Sequence, residues 1–188
     1  TITHNFFLPD APRILVVDSG AWYNASEADY YRQALEDNNY SYAVWPIRDP
    51  NKDVPTTSTL RQYQTVLWSS PQDSPGYIGA ANAIGDYLEH GGNLLLSGQD
   101  VGFWDGYWIY SQYFPSQLLA QYIDDNGPTR QLAGQQLFAG RVISISGSGG
   151  ADNQLYPDVI ASLDPLLTRD AFDPGRVRTW FDLPIQAP

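Results

Sequence analysis

The sequence predicts an α/β fold, a three-layer sandwich around a mainly parallel sheet, with extra β structure in the C-terminal third. Two observations support it. Short continuous apolar runs, typical of strands buried on both faces, alternate with segments of helical periodicity. The chain also has 188 residues of which 43% are hydrophobic, enough for one sizeable core. Strands that alternate with helices predict a parallel sheet covered by helices on both faces.

The first half of the chain supplies four strands, each ended by turn residues. They are predicted at 13–18, 40–45, 65–68 and 93–97. Ser26 followed by Asp29 predicts the start of a helix that stops at 38–39. Helical spacing also predicts one short turn at Leu60 and Tyr63 and a second helix over 78–88, which Gly91 and Gly92 terminate.

The rest of the chain is predicted to hold one more helix and, beyond Asn126, β structure. The spacing of Phe114, Leu118, Leu119 and Tyr122 predicts a third helix, opened by Ser111 or Ser116. After Asn126 the segments 129–134, 141–145 and 176–181 are β-like. Residues 1–12 hold two prolines and no periodicity, so we expect a linker or edge segment there and a single domain over 13–188.

Composition excludes several classes of function. The formal charge is −11, and the few Lys and Arg residues are scattered, which argues against nucleic acid as a partner. No run approaches the roughly 18 apolar residues of a membrane span. The absence of Cys removes disulfides, thiolate catalysis and cysteine-based metal centres. Since there is also no Met, we expect that Thr1 is not the native start. The polar surface composition favours an extracellular or cell-surface location.

Candidate site residues lie where the predicted strands end, because ligands of open parallel sheets bind outside the carboxyl ends of the strands. Asp18 and Ser19 follow the first strand, Ser69 and Ser70 the third, and Ser97 to Asp100 the fourth. We expect these segments to converge on one edge of the sheet, with Asp18 and Asp100 as neighbours or near neighbours.

The segments ILVVDSG, TVLWSSP and GGNLLLSGQDVGF, separated by helices, resemble the class I glutamine amidotransferase fold over about residues 13–103. In that family a strand ends in a Gly-x-Cys-x-Gly nucleophile elbow, and the matching residues here are 98–102, with Asp100 in place of the Cys. The runs LRQYQTVLWSS and YLEHGGNLLLSGQD also resemble amidotransferase-like modules attached to secreted bacterial proteases. This second resemblance implies a non-catalytic accessory domain.

The chain departs from the amidotransferase pattern in the residues that would carry out catalysis. Amide transfer needs a thiolate, a His base and an orienting carboxylate. The chain has no Cys, and its two His residues are His4, in the predicted linker, and His90, expected at the amino end of the sheet. Glutaminase activity is therefore not supported. Asp100 paired with Asp18 or Asp105 remains an alternative acid–base pair of a hydrolase. A second alternative is that Asp100 merely accepts backbone N–H bonds.

The segment 103–110 (FWDGYWIY) is unusually aromatic and follows the elbow directly. Its rings are either a packed lid or a surface that stacks on sugar rings or grips a peptide. The motifs that cradle nucleotide phosphates are absent, so no cofactor is predicted. The loop 49–53 has oxygen ligands at alternate positions but lacks the Gly and Glu of a calcium loop, so no metal is predicted.

The leading hypothesis is a non-catalytic accessory or ligand-binding module of a larger, secreted bacterial protein. Its partners would be other domains of that protein and a glycan or peptide. The alternatives are a hydrolase using Asp100 and a carbohydrate-binding domain using Trp104, Tyr107 and Trp108. The expected ligand-binding residues are Ser19, Trp22, Ser69, Ser97, Gln99, Asp100, Trp104, Tyr107 and Trp108.

Overall fold

The computed structural model describes residues 11–107, 113, 117–125, 131–134, 139–144, 158–163 and 181–182. Its central sheet has four parallel strands, in the order β2-β1-β3-β4. The strands are β1 (Ile14–Asp18), β2 (Tyr42–Pro46), β3 (Thr65–Ser70) and β4 (Asn93–Gly98). This order is that of flavodoxin-like proteins. The predicted fold class is confirmed.

Both faces of the sheet are covered, because successive side chains of β1 pack into two different hydrophobic clusters. Leu15 and Val17 pack with residues of α2 (Thr57–Leu60) and α3 (Ala81–Glu89). Val16 packs on the opposite face against α1 (Ala28–Asp37). All three β1 side chains are fully buried. The continuous apolar run of β1 thus reflects a strand between two helical layers.

The helices differ from their predicted bounds by a few residues. Thr56 starts α2 by accepting a hydrogen bond from the Thr59 backbone N–H, so the short turn lies earlier than expected. Residues 75–79 form turns, and α3 begins only at Ala81. Gly91 has a φ of +84°, the left-handed conformation that glycine adopts at helix ends.

The predicted third helix is wrong over 119–125, whereas Tyr113 is helical and its carbonyl accepts from the Gln117 N–H at 2.8 Å. Residues 120–125 form β5 (Ala120–Asp125), which pairs antiparallel with β8 (Asp158–Ser162). Leu119 has a φ of +49°, which a right-handed helix cannot contain. The partner strand lies far along the chain, so the local spacing of Leu118 and Tyr122 could not reveal the pairing.

The extra β structure of the C-terminal third is confirmed. The strands β6 (Gln131–Gly134), β7 (Val142–Ser144) and β9 (Phe181–Asp182) form an antiparallel sheet in the order β7-β6-β9. The strands β6 and β7 lie within segments predicted as β-like, and β9 overlaps the third such segment at Phe181. Residues 1–10 of the predicted linker lie outside the described part. Within that part, no helix is both long enough and apolar enough to span a bilayer.

Candidate functional site

Three predicted site residues lie in one row at the carboxyl ends of the parallel strands. Asp18 is in register with Ser69, and Ser69 with Ser97. Residues in register on neighbouring parallel strands project to the same face, so all three face α1. The sequence predicted this convergence from the strand ends alone.

Asp18 is the buried end of that row. It is 6% exposed, and its Oδ2 accepts a 2.7 Å hydrogen bond from the Ser26 hydroxyl. Its Oδ1 is buried with no hydrogen-bond partner. The Tyr31 hydroxyl of α1 lies beside Ser69 and Ser97, and burial raises the pKa of Tyr31. The row therefore combines a half-satisfied carboxylate with several hydroxyl groups.

A second buried carboxylate, Asp73, was missed by the sequence analysis. It accepts hydrogen bonds from Ser19 Oγ (2.5 Å), Trp22 Nε1 (3.1 Å) and Tyr23 Oη (3.5 Å). Asp73 thus fastens the 3₁₀ turn Ser19–Tyr23, which follows β1, to the loop after β3. Burial raises the pKa of Asp73 and is also the main cause of the raised pKa of Tyr23. One sequence signal could have indicated Asp73: it is an acidic residue three positions after Ser70, the last residue of β3.

The elbow, residues 98–102, makes the sharp strand-to-helix turn that its glycines predict. A Cβ on Gly98 would lie 2.3 Å from the Ser70 carbonyl oxygen, so only glycine fits there. Asp100 is half-buried, and its carbonyl accepts from the Trp104 N–H at 3.1 Å. Gln99 donates through Nε2 to the Pro71 carbonyl at 2.8 Å. Its side-chain amide joins the ends of β3 and β4.

Asp158, the first residue of β8, makes hydrogen bonds to the backbone of the elbow and of the turn that follows it. Its carboxylate accepts from the backbone N–H groups of Gly102 (2.7 Å) and Phe103 (3.0 Å). Its own N–H donates to the Gln99 carbonyl at 3.1 Å. Gly102 and Phe103 begin the π-helical turn Gly102–Tyr107. A carboxylate of the chain itself therefore occupies the donors next to the nucleophile position. No local motif in the sequence marks Asp158.

Asp105, a candidate acid–base residue, is 1% exposed. It accepts hydrogen bonds from Ser74 Oγ (2.5 Å), the Gly76 N–H (3.0 Å) and Tyr113 Oη (2.5 Å). Burial raises the pKa of Tyr113 well above its usual range, and the charge of Asp105 adds to that shift. Asp105 therefore joins the π-helical turn to the loop that follows β3.

Four aromatic rings form a continuous row, called the aromatic row below. Ring centroids are 5.0 Å apart for Tyr77 and Trp104, 5.3 Å for Trp104 and Phe103, and 5.7 Å for Phe103 and Tyr122. Tyr77 is 53% exposed, whereas Trp104 and Phe103 are half-buried. The side chain of Tyr107 and all of Trp108 lie outside the described part of the structure. Of these rings, Phe103 and Trp104 are thus partly packed, and Tyr77 lies largely at the surface.

The described histidine lies away from the elbow. His90 follows α3 and precedes β4, at the amino end of the sheet, where its Nδ1 is 2.8 Å from the Asp86 carbonyl. His4 lies outside the described residues. In the loop 49–53, Asp49 accepts from Lys52, and Asp53 accepts from two backbone N–H groups. Among described residues, no group of three or more acidic, His or Cys side chains is placed to hold a metal ion.

Comparison with known proteins gives little beyond the geometry. No protein-family model matches the chain, and no curated protein matches it. A solved structure of a putative ThuA-like protein from Bacteroides uniformis ATCC 8492 is 17% identical, with a TM-score of 0.46. The match covers 72% of this chain and 55% of that one, so the chain spans about half of the protein that it resembles.

Proposed function

We propose that this chain is a non-catalytic ligand-binding or accessory module of a larger, secreted bacterial protein. The observation that carries the proposal is the position of Asp158. An acyl-transfer site directs free N–H donors at the place where negative charge develops. With Asp100 at the nucleophile position, one such donor would be the N–H of Val101, and the next two N–H groups, those of Gly102 and Phe103, bind a carboxylate of the same chain. A fixed negative charge at this position would repel an oxyanion rather than stabilise it.

The side chains around the elbow support the same proposal. Asp100 stands where an amidotransferase has its Cys, the chain lacks Cys altogether, and His90 lies at the other end of β4. The hydrolase alternative needs Asp18 or Asp105 as a partner of Asp100. Asp18 is bound by Ser26, whereas Asp105 is bound by Ser74, Gly76 and Tyr113. These attachments favour a structural role for Asp105 and tie one oxygen of Asp18 to the segment before α1.

A turnover screen tests the proposal. Purified wild type and Asp100→Ala would be compared for release of ammonia from glutamine and for hydrolysis of ester, amide and glycoside substrates. We expect no turnover by the wild type above the level of the variant. Turnover by the wild type that disappears in Asp100→Ala would overturn the proposal in favour of the hydrolase.

Carbohydrate binding is the second candidate, and the aromatic row favours it. Tyr77 exposes half of its ring, and the rings behind it are held by backbone attachments on both sides. Asp158 binds the N–H of Phe103, and Asp105 binds the N–H of Gly76, next to Tyr77. Rigid aromatic faces with one exposed end suit stacking on a sugar ring. Among the described residues the proposal depends on Tyr77 and Trp104, and the roles of Tyr107 and Trp108 stay predictions.

The remaining parts of the proposal concern context. Other domains of the parent protein are the expected partners, at an extracellular or cell-surface location. The acidic charge of −11 continues to argue against nucleic acid. Determination of the complete reading frame and of the compartment of its product would test both points. A product retained in the cytoplasm would contradict the location.

A further inference from the structure

The Oδ1 atom of Asp18 has no hydrogen-bond donor among the described residues. Asp18 is 6% exposed, and its Oδ1 has no hydrogen bond. The ion pairs among described residues involve Asp29, Asp49 and Asp86, and none involves Asp18. A buried carboxylate oxygen without a donor costs several kcal/mol unless a group outside the described residues binds it.

Hydroxyl groups continue from Asp18 towards the surface. Ser69, the next residue in register, is buried, and Ser97 beyond it is exposed on β4, the end strand of the described sheet. The Tyr31 hydroxyl lies over both serines. The row therefore leads from a buried negative charge, past neutral oxygen acceptors, to solvent. It lies at the carboxyl ends of parallel strands, where ligands of such sheets bind.

We infer that the row of Asp18, Ser69 and Ser97 binds the primary ammonium group of a small ligand. An ammonium group has one positive charge and three N–H donors. It would neutralise Asp18, satisfy Oδ1 and offer its other donors to the serine oxygens. Calcium takes six to eight oxygen ligands, usually with several carboxylates, and the described residues hold no group of three or more side chains that could bind a metal ion. This inference is independent of the inert elbow.

Thermal unfolding and calorimetry would test the inference with methylamine and ethanolamine hydrochlorides as probes. Tetramethylammonium, magnesium and calcium chlorides would be compared at the same ionic strength. We expect saturating primary amine to raise the Tm of the wild type by about 5 °C. Tetramethylammonium, which has the charge but no N–H donor, should raise it by less than half as much.

Asp18→Asn separates ligand binding from a structural role. The amide is nearly isosteric and removes the unpaired charge, so the variant should keep or exceed the wild-type Tm without amine. Its affinity for the amines should fall at least tenfold. Asp29→Asn, which removes an exposed α1 carboxylate paired with Arg32, should leave the amine response unchanged.

Several results would overturn the inference. One is a wild type that responds to none of the amines, which would leave a water molecule as the partner of Oδ1. Another is an equal response to tetramethylammonium, or a response to the metal ions alone. A third is an amine response that Asp18→Asn retains. The turnover screen of Asp100→Ala has no bearing on these outcomes, so the two proposals fail separately.

Discussion

The carboxylate of Asp158 lies 2.7 Å from the backbone nitrogen of Gly102, and this contact attaches the β5–β8 pair to the elbow of the parallel sheet. The Phe103 N–H and the Gln99 carbonyl add two more bonds to the same residue. A carboxylate at the start of a helical turn is favoured by the free N–H groups there. One residue of β8 therefore both caps the turn and fills its anion-binding position.

Removal of that carboxylate should destabilise the protein. Asp158→Ala deletes two hydrogen bonds to a charged acceptor, and we expect a loss of about 2 kcal/mol in the free energy of unfolding. Urea denaturation would measure it. Asp158→Asn keeps one oxygen acceptor and should lose about half as much. Equal stability of wild type and Asp158→Ala would show that the contact contributes nothing.

Gly98 and Gly85 provide a matched pair of glycine substitutions. The Cβ of Gly98→Ala would lie 2.3 Å from the Ser70 carbonyl oxygen and 2.7 Å from Val101 Cγ2, so the elbow must shift. We expect a loss of about 2 kcal/mol or more. Gly85, inside α3, has its nearest neighbour at 3.5 Å, so Gly85→Ala should be neutral or stabilising by up to about 1 kcal/mol. Similar losses at both positions would contradict the geometry of the elbow.

The fold was largely predictable because each strand of the parallel sheet carries its own local signal. The buried run of β1 and the turn residues at each strand end were sufficient for the strands and for the row of Asp18, Ser69 and Ser97. Register follows from pairing between neighbouring strands, which the chain order of an α/β sheet restricts.

The missed features depend on contacts between distant segments. Ser19 and Asp73 are 54 residues apart, and Gly102 and Asp158 are 56 apart. Neither acid stands at a spacing that marks it within its own segment. The antiparallel partner of β5 is also distant along the chain, with Tyr122 opposite Ile160, and the apolar spacing of Leu118 and Tyr122 therefore favoured a helix.

Asp73 should make stability depend on pH. Burial raises its pKa in the folded state above the ordinary 3.8, so its contribution is fully present below pH 3.8. That contribution is lost as the pH rises through the folded-state value. The free energy of unfolding of the wild type should therefore fall relative to Asp73→Asn as the pH rises above about 4.

Asp49 serves as the control of opposite sign. Lys52 lowers its pKa, so its contribution is present above 3.8 and lost as the pH falls through the folded-state value. Because Asp49 is at the surface, Asp49→Asn should change the pH profile only slightly. A wild-type profile parallel to that of Asp73→Asn would refute the effect of burial on Asp73.

The aromatic row predicts which rings would bind a sugar. If a glycan quenches or shifts tryptophan fluorescence, Tyr77→Ala and Trp104→Ala should each weaken its binding by about tenfold, roughly 1.4 kcal/mol. Tyr30 is 68% exposed on α1 and outside the row, so Tyr30→Ala is the matched control. A flat fluorescence response across a broad glycan panel, or equal losses in all three variants, would count against the row.

Glutamine hydrolysis by Asp100→Cys tests most directly whether the elbow is inert for reasons beyond its missing thiol. The variant restores the amidotransferase nucleophile, but it leaves Asp158 on the Gly102 and Phe103 N–H groups and His90 at the far end of β4. We predict no ammonia release above the wild-type background in a coupled assay. Sustained, stoichiometry-exceeding release of ammonia by Asp100→Cys would contradict the account.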